Sequence, residues 1–172
     1  GRTFYQLNVG DISLLFDGIG WSYVSSGTSG GRHLANVRAS LTPLPYVFDY
    51  ANGTCYLLDK TNLTDSGATI VREVVSKHLL SDFNPLTVWK LYVDCEVGRV
   101  DSTSDPQMMM QYSKDGGNTW GAELWTSMGE MGEYLTRCVW RSLGRARDFT
   151  FRLRVSDEVR VTITSAAVQV EA

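Results

Sequence analysis

The chain has 172 residues, 43% of them hydrophobic, with five Trp, eight Tyr and six Phe, enough apolar surface for one domain or two small ones and too much for a disordered chain. Charged residues make up 20% and the formal net charge is -3, so the chain as a whole has no strong field for gripping a polyanion, and no specific nucleic-acid recognition is expected. No apolar run approaches the ~20 residues needed to cross a bilayer, and the N-terminus has no charged-then-apolar signal pattern, so neither a membrane span nor a secretory route is expected.

The dominant pattern is alternation of apolar and polar residues at period two, the mark of strands with one buried face. The first half writes one sentence twice, about 33 residues apart: an aromatic-rich strand ending in Asp, a Gly-containing turn, then a strand opening near an aromatic. The copies are Leu14-Leu15-Phe16-Asp17-Gly18-Ile19-Gly20-Trp21 and Val47-Phe48-Asp49-Tyr50-Ala51-Asn52-Gly53-Thr54-Cys55-Tyr56. Asp-Gly and Asn-Gly supply the positive-φ positions of tight reversals, so each copy predicts a hairpin. Separated by the polar loop 25–33, the two look like successive blades of a partial β-propeller, whose sheets repeat at roughly 40 to 50 residues.

Val71, Val74, Val75, His78 and Leu79 fit a helical template, but residues 68–75 are β-branched enough for a strand, and a strand is the reading adopted. Residues 76–87, with Asn84-Pro85, read as a connection between two halves. Beyond it, Trp89, Leu91, Val93, Cys95 and Val97 alternate with Lys90, Tyr92, Asp94 and Glu96, which predicts a strand with the first set facing the core.

Residues 113–120 read Ser-Lys-Asp-Gly-Gly-Asn-Thr-Trp, a full match to the Asp-box pattern S-x-D-x-G-x-T-W. Ser113, Asp115, Gly117, Thr119 and Trp120 are expected to build a hairpin turn: the carboxylate accepts backbone N–H groups, Gly117 takes a backbone conformation closed to other residues, and Trp120 packs under the loop. The role of these residues is structural. The rival reading makes Asp115 a metal or ligand group.

The last stretch carries a charge reversal. Residues 1–136 hold 9 basic and 15 acidic side chains, whereas 137–172 hold 7 and 4, all seven basic ones being arginines. Such a stretch presents either the solvated sides of amphipathic strands or a face for an acidic partner. Phe149, Phe151, Leu153 and Val155 alternate with Thr150, Arg152, Arg154 and Ser156; after a turn on Asp157 and Glu158, Val159, Val161 and Ile163 alternate with Arg160, Thr162 and Thr164.

The fold expected is therefore all-β: residues 1–76 as propeller-like hairpins and 86–172 as an antiparallel β-sandwich of about six strands carrying the Asp box. No catalytic residue, metal site or cofactor is indicated. Cys55, Cys95 and Cys138 form no C-x-x-C pair and read as buried small hydrophobes in a reduced compartment. His33 and His78 imply no triad by spacing. A sialidase-like glycosidase shares the Asp box, but a six-bladed propeller needs ~250 residues. Asp94 and Glu96 share a strand face and mimic a glycosidase acid pair; surface alternation explains them equally well. A carbohydrate-binding β module, using exposed aromatics such as Trp21 or Tyr23, is a further alternative.

From the Asp box onward the chain resembles a known family. Met110-Gln111-Tyr112-Ser113, Asp115-Gly116-Gly117, Thr119-Trp120, then Met128-Gly129, Gly132-Glu133-Tyr134, then Arg137, Trp140-Arg141, Leu143-Gly144, Ala146-Arg147, then Phe151, Leu153 and Val155-Ser156-Asp157 resemble the C-terminal region of packaged-DNA stabilisation and tail-nozzle proteins of short-tailed phages. Phe16-Asp17, Gly20-Trp21, Tyr56 and Leu58-Asp59 resemble the last propeller-type blades of the same proteins. One departure is Glu158, where the family commonly has Pro. The resemblance implies a structural, non-enzymatic tail component, from a phage or a prophage, located in the virion and assembled in a reduced bacterial cytoplasm. Its members form a ring, usually sixfold, below the portal and adaptor, close the DNA exit channel and carry needle or tip proteins. They are longer than 172 residues, so a C-terminal fragment is implied. Gly129, Gly132 and Gly144 read as tight reversals, and Arg141, Arg145 and Arg147, clustered at the last of them, as candidate contacts to carboxylates of a neighbouring subunit or of the adaptor; the plainer alternative is local ion pairing.

Overall fold

The computed structural model describes residues 4–28, 30–41, 44–59, 61–81, 84–96, 105–133 and 135–171. Val97 and Tyr134 lie outside the described residues. Those described contain strands and no helix, and the chain divides into two units, residues 1–70 and 71–172.

The first unit holds two antiparallel three-stranded meanders and a two-stranded ladder. β1 (Tyr5–Val9), β2 (Ile12–Phe16) and β3 (Trp21–Val24) form one sheet; β4 (Ala35–Leu41), β5 (Leu44–Asp49) and β6 (Cys55–Leu57) form the next; β7 (Thr64–Asp65) pairs with β8 (Ala68–Thr69). Both Asp-led hairpins are present, and each Asp works in its own turn. Asp17 Oδ1 accepts the N–H groups of Ile19 and Gly20, both at 2.9 Å. Asp49 Oδ1 accepts Ala51 N–H at 2.7 Å, and Asp49 N–H donates to the Thr54 carbonyl at 2.9 Å. Gly18 and Gly53 take φ of 94° and 71°, where a side chain would clash with its own backbone. Cys55 is exposed, contrary to the expectation of three buried thiols; Cys138 is buried and Cys95 half-buried.

The second unit is two facing sheets. One contains β9 (Arg72–Val75), β10 (Leu79–Leu80), β12 (Gln107–Ser113), β13 (Leu124–Ser127) and β15 (Asp148–Val155); the other, in the order β14-β11-β16, contains β11 (Leu86–Cys95), β14 (Cys138–Ala146) and β16 (Ile163–Glu171). Residues 72–75 are strand, as their β-branching suggests, and they belong to this unit because they pair with Arg152–Val155. Residues 76–78 interrupt that edge, where Ser76 Oγ accepts Phe151 N–H at 2.9 Å in place of a backbone partner.

The core between the sheets gathers Leu86, Val88, Leu91 and Val93 of β11, Met108 and Met110 of β12, Cys138, Trp140 and Leu143 of β14, and Phe149, Phe151, Leu153 and Val155 of β15. Two expectations from alternation need correction. Trp89 is 47% exposed, because the ladders to both β14 and β16 pass from Val88 to Lys90 without pairing it. This bulge shifts the inward phase by one residue, so Leu91 and Val93 still face the core. The indole N–H instead reaches Glu171 Oε2 at 3.0 Å.

The second correction concerns residues 159–162, which are not strand. Asp157 ties this crossing down: its Oδ2 accepts Gln107 N–H at 2.7 Å and its carbonyl accepts Arg72 Nη1 at 3.1 Å. A ladder resumes only where the chain meets β11, at Ile163 opposite Cys95. Gly144, too, is not a reversal. It lies inside β14 opposite Val88 with φ of 91°, beside Ser142 at 59°. Gly129 is a genuine special position, with φ of 93° and Thr136 Cβ only 2.8 Å from where its own Cβ would sit.

Two aromatic residues of alternating strands end in opposite environments, Phe149 buried and Trp89, at the bulge, exposed. Phe149→Ala, which empties a fully buried site, should cost about 3–5 kcal/mol of unfolding free energy; Trp89→Ala should cost about 1 kcal/mol or less. Denaturant unfolding of both variants checks the contrast.

Candidate functional site

The Asp-box hairpin joins β12 to β13. Ser113 is fully buried at the end of β12 and its hydroxyl organises the turn, donating to Asp115 Oδ1 at 2.6 Å and accepting Gly117 N–H at 2.8 Å. Asp115 accepts twice from Thr119, from its N–H at 2.8 Å and its hydroxyl at 2.6 Å. Hydrogen bonds from Ser113 and Thr119 stabilise the ionised form and hold the Asp115 carboxyl down to about 2,. Gly116 and Gly117 have φ of 72° and 91°. Trp120 is capped by the Arg152 guanidinium 3.8 Å from its ring centroid, a stacking contact that binds the loop to β15. All five motif residues are thus brought together, and Asp115 spends its oxygens inside the turn.

Two further contacts at this hairpin had no signal in the sequence, since the partners are far apart in the chain. Lys114 Nζ lies 5.5 Å from the Tyr112 ring and 5.7 Å from the Phe149 ring, and would meet a Cβ on Gly144 at 2.8 Å. His78 Nδ1 lies 2.8 Å from Asp148 Oδ2, with its ring beside Gly116.

Six of the seven arginines of the last stretch fall into two groups. Arg137 pairs with Asp94 at 2.6 Å; Arg152 and Arg154 approach Glu73 at 3.7 and 2.7 Å. Arg141, Arg145 and Arg147 are exposed, and among the described residues none has a carboxylate within ion-pair distance. Arg145 Nε donates to the Pro85 carbonyl at 3.4 Å. Arg141 lies opposite Lys90 and Arg145 opposite Thr87 on β11, the alternation partners of inward Leu91 and Leu86, so both face outward on the β14-β11-β16 sheet. Arg147 sits where the chain leaves this sheet for β15.

Asp94 lies on the same outer face. Besides Arg137 it accepts the Ser165 hydroxyl at 2.7 Å, and these hydrogen bonds hold its carboxyl below the usual carboxylate range. A cleft of about 610 Å³ opens between β9 and β16. Leu91, Met108, Phe151, Leu153, Ile163 and Val168 make its walls largely apolar, and Arg72, Glu73, Lys77 and Arg154 line it as well. Among the described residues no three His, Cys, Asp or Glu side chains gather as metal ligands, and no helix is long and apolar enough to cross a membrane.

A family model for the β-sandwich of bacteriophage P22 Gp10 matches residues 71–171. The chain belongs to this family. Comparison with curated proteins gave no match. The matched stretch begins at the first residue of the second unit, so the facing sheets, the Asp-box hairpin and all seven of the final arginines lie within the P22 Gp10 β-sandwich. Membership makes the protein a structural component of a phage tail, located in the virion and assembled with other virion proteins.

Ser113→Ala removes the acceptor of the half-buried Gly117 N–H and should cost about 1 kcal/mol, checked by denaturant unfolding,. Asp115 gives a pH signature. Because its folded pKa lies below the ordinary carboxylate value, its contribution is complete above about pH 4 and is lost as the pH falls toward 2,. Thermal unfolding of Asp115→Asn should therefore fall below that of the native protein at neutral pH and converge with it through that window.

Proposed function

We propose that the protein is a non-catalytic building block of the tail tube, the nozzle below the portal and adaptor. In the full-length protein, copies form a sixfold ring that closes the DNA exit channel, stabilises packaged DNA and carries the needle or tip proteins. The observation that carries this reading is the state of Arg141, Arg145 and Arg147: exposed, and without a carboxylate partner among the described residues, while Arg137, Arg152 and Arg154 of the same stretch are paired. An unpaired guanidinium on a rigid sheet is suited to bidentate capture of a carboxylate from another protein. Ser113, Asp115, Gly117, Thr119 and Trp120 serve this role indirectly, by stiffening the hairpin that packs beside β15.

In the same proposal residues 1–70 are two successive blades of a propeller. Support comes from the two consecutive three-stranded meanders with an Asp-led turn between their second and third strands. A second reading, a carbohydrate-binding module, is favoured by the exposure of Trp21 and Tyr23 on one face of β3,. A glycan array distinguishes it, and a sialoside turnover assay tests the glycosidase alternative.

The tail-tube reading predicts that the double charge reversal Arg145→Glu with Arg147→Glu, made in the full-length protein, leaves the unfolding midpoint in place but abolishes ring assembly and DNA retention. Replacing attraction by like-charge repulsion at an interface ion pair is worth on the order of 2–5 kcal/mol per contact. Rings that form normally and hold DNA with both reversals in place would sink it.

A further inference from the structure

The two facing sheets of the second unit differ in width. At one edge they are tied together: Trp140 Nε1 of β14 donates to the Leu124 carbonyl of β13 at 2.9 Å, and Cys138 Sγ to the Ser127 carbonyl at 3.5 Å. Counted from that edge, the first sheet runs β13, β12, β15 and then β9 with β10, which share the outermost rank by pairing with opposite ends of β15. The other sheet runs β14, β11, β16. Among the described residues no strand continues it beyond β16, and the cleft lies on that side, between β9 and β16.

The burial of inward-facing side chains shows the consequence. Val168, Ala166 and Val170 of β16 sit opposite Leu91, Val93 and Val88 of β11, and cross-strand partners point to the same side. The three β11 residues are 3%, 0% and 0% exposed, whereas Val170 is 47% exposed, Ala166 is exposed and Val168 half-buried. Val74, opposite the inward Leu153, is 49% exposed on β9. These are core positions of a sandwich, open to water along one edge.

That edge carries no guard. Sheet edges that must stay single are kept short or bear Lys or Pro, but the nine residues of β16 contain neither, and no charge before Glu171. Ser165 to Gln169 hold an unbroken register with β11, which keeps the free row of backbone N–H and C=O groups on the other side regular enough to template another strand.

A single cation belongs to the inward row of β9. Arg72 lies opposite the inward Val155, two residues from Val74,. It is half-buried and lines the cleft, and its Nη1 donates to the Asp157 carbonyl. Among the described residues no carboxylate lies within ion-pair distance of it. A guanidinium has five N–H donors and a full charge, and a carboxylate is the group that answers both.

We propose that the cleft receives an extended segment of another virion protein. The segment adds to the free edge of β16 as a fourth strand, turns apolar side chains at alternate positions onto Val74, Leu153 and Val168, and brings a carboxylate to Arg72. A compact apolar ligand would fill the cleft but leave the β16 edge unpaired and Arg72 without a counter-charge. The inference rests on membership of the family and not on the outward arginines, since Arg141 and Arg145 lie on the opposite face of the same sheet.

Photocrosslinking in assembled virions tests it. A photoreactive phenylalanine analogue in place of Ala167, which is exposed on the outward side of β16 and leaves the cleft clear, should crosslink to one segment of a different virion protein, apolar at alternate positions and containing Asp or Glu. That segment, made as a synthetic peptide, should bind the 172-residue chain and slow amide exchange at residues 165–169 by about tenfold or more. Ala166→Glu, at an exposed position, should abolish peptide binding with the unfolding midpoint unchanged. Arg72→Glu should weaken binding roughly thirtyfold or more, the loss expected for a desolvated charge pair, and Arg72→Lys should keep most of it. Arg145→Glu should leave binding unchanged, which separates this cleft from the proposed arginine interface. No crosslink, or a crosslink to this chain itself or to a second copy of it, overturns the proposal. So does a peptide that binds equally well with Ala166→Glu, or one that leaves the exchange of β16 as it was.

Discussion

The second unit depends on what happens around β15. Phe149, Phe151, Leu153 and Val155 face the core from this strand, and its backbone pairs with β12 on one side and with β9 and β10 on the other. Removing these apolar side chains from water is the main favourable term available to an all-β unit of about a hundred residues. Everything distinctive about the unit is arranged around that burial. The Asp-box hairpin extends β12, Arg152 reaches from β15 to cap Trp120, and Lys114 returns from the hairpin to lie against the rings of Tyr112 and Phe149.

Fixing the β15 core also fixes where the arginines go. On β15, the residues between the inward ones are Arg152 and Arg154, and both find Glu73 on the neighbouring edge strand. On β14 the corresponding outward positions are Arg141 and Arg145, and β11 offers them Lys90 and Thr87 instead of acids. The same alternation therefore gives Arg152 and Arg154 an acidic partner on one sheet, while on the other Arg141 and Arg145 have no carboxylate within ion-pair distance among the described residues.

The two units treat the burial rule in opposite ways. The P22 Gp10 β-sandwich hides its apolar faces between two sheets of its own. In the first unit, β1-β2-β3 packs its polar face inward through Ser13, Asn8 and Gln6 and leaves its aromatic face open.

Much of this was legible in the amino-acid order alone. Period-two alternation, Asp-Gly and Asn-Gly turns and the Asp-box spacing are local signals, decided within a few residues by backbone sterics and short-range hydrogen bonds, and they specified strands and hairpins correctly around Asp17, Asp49 and Asp115. The resemblance in the final third, carried by spaced Gly, Trp and Arg, pointed to the family. What the order of residues could not decide was which side of each strand meets a neighbour. Trp89 and Leu91 look equivalent until a bulge shared by two ladders separates them; Tyr23 and Phe151 both belong to apolar rows, yet one row is covered and the other open; Arg141 and Arg154 differ only in the strand opposite. Those outcomes depend on partners dozens of residues away, and packing of distant strands, which leaves no mark in a local pattern, settled them.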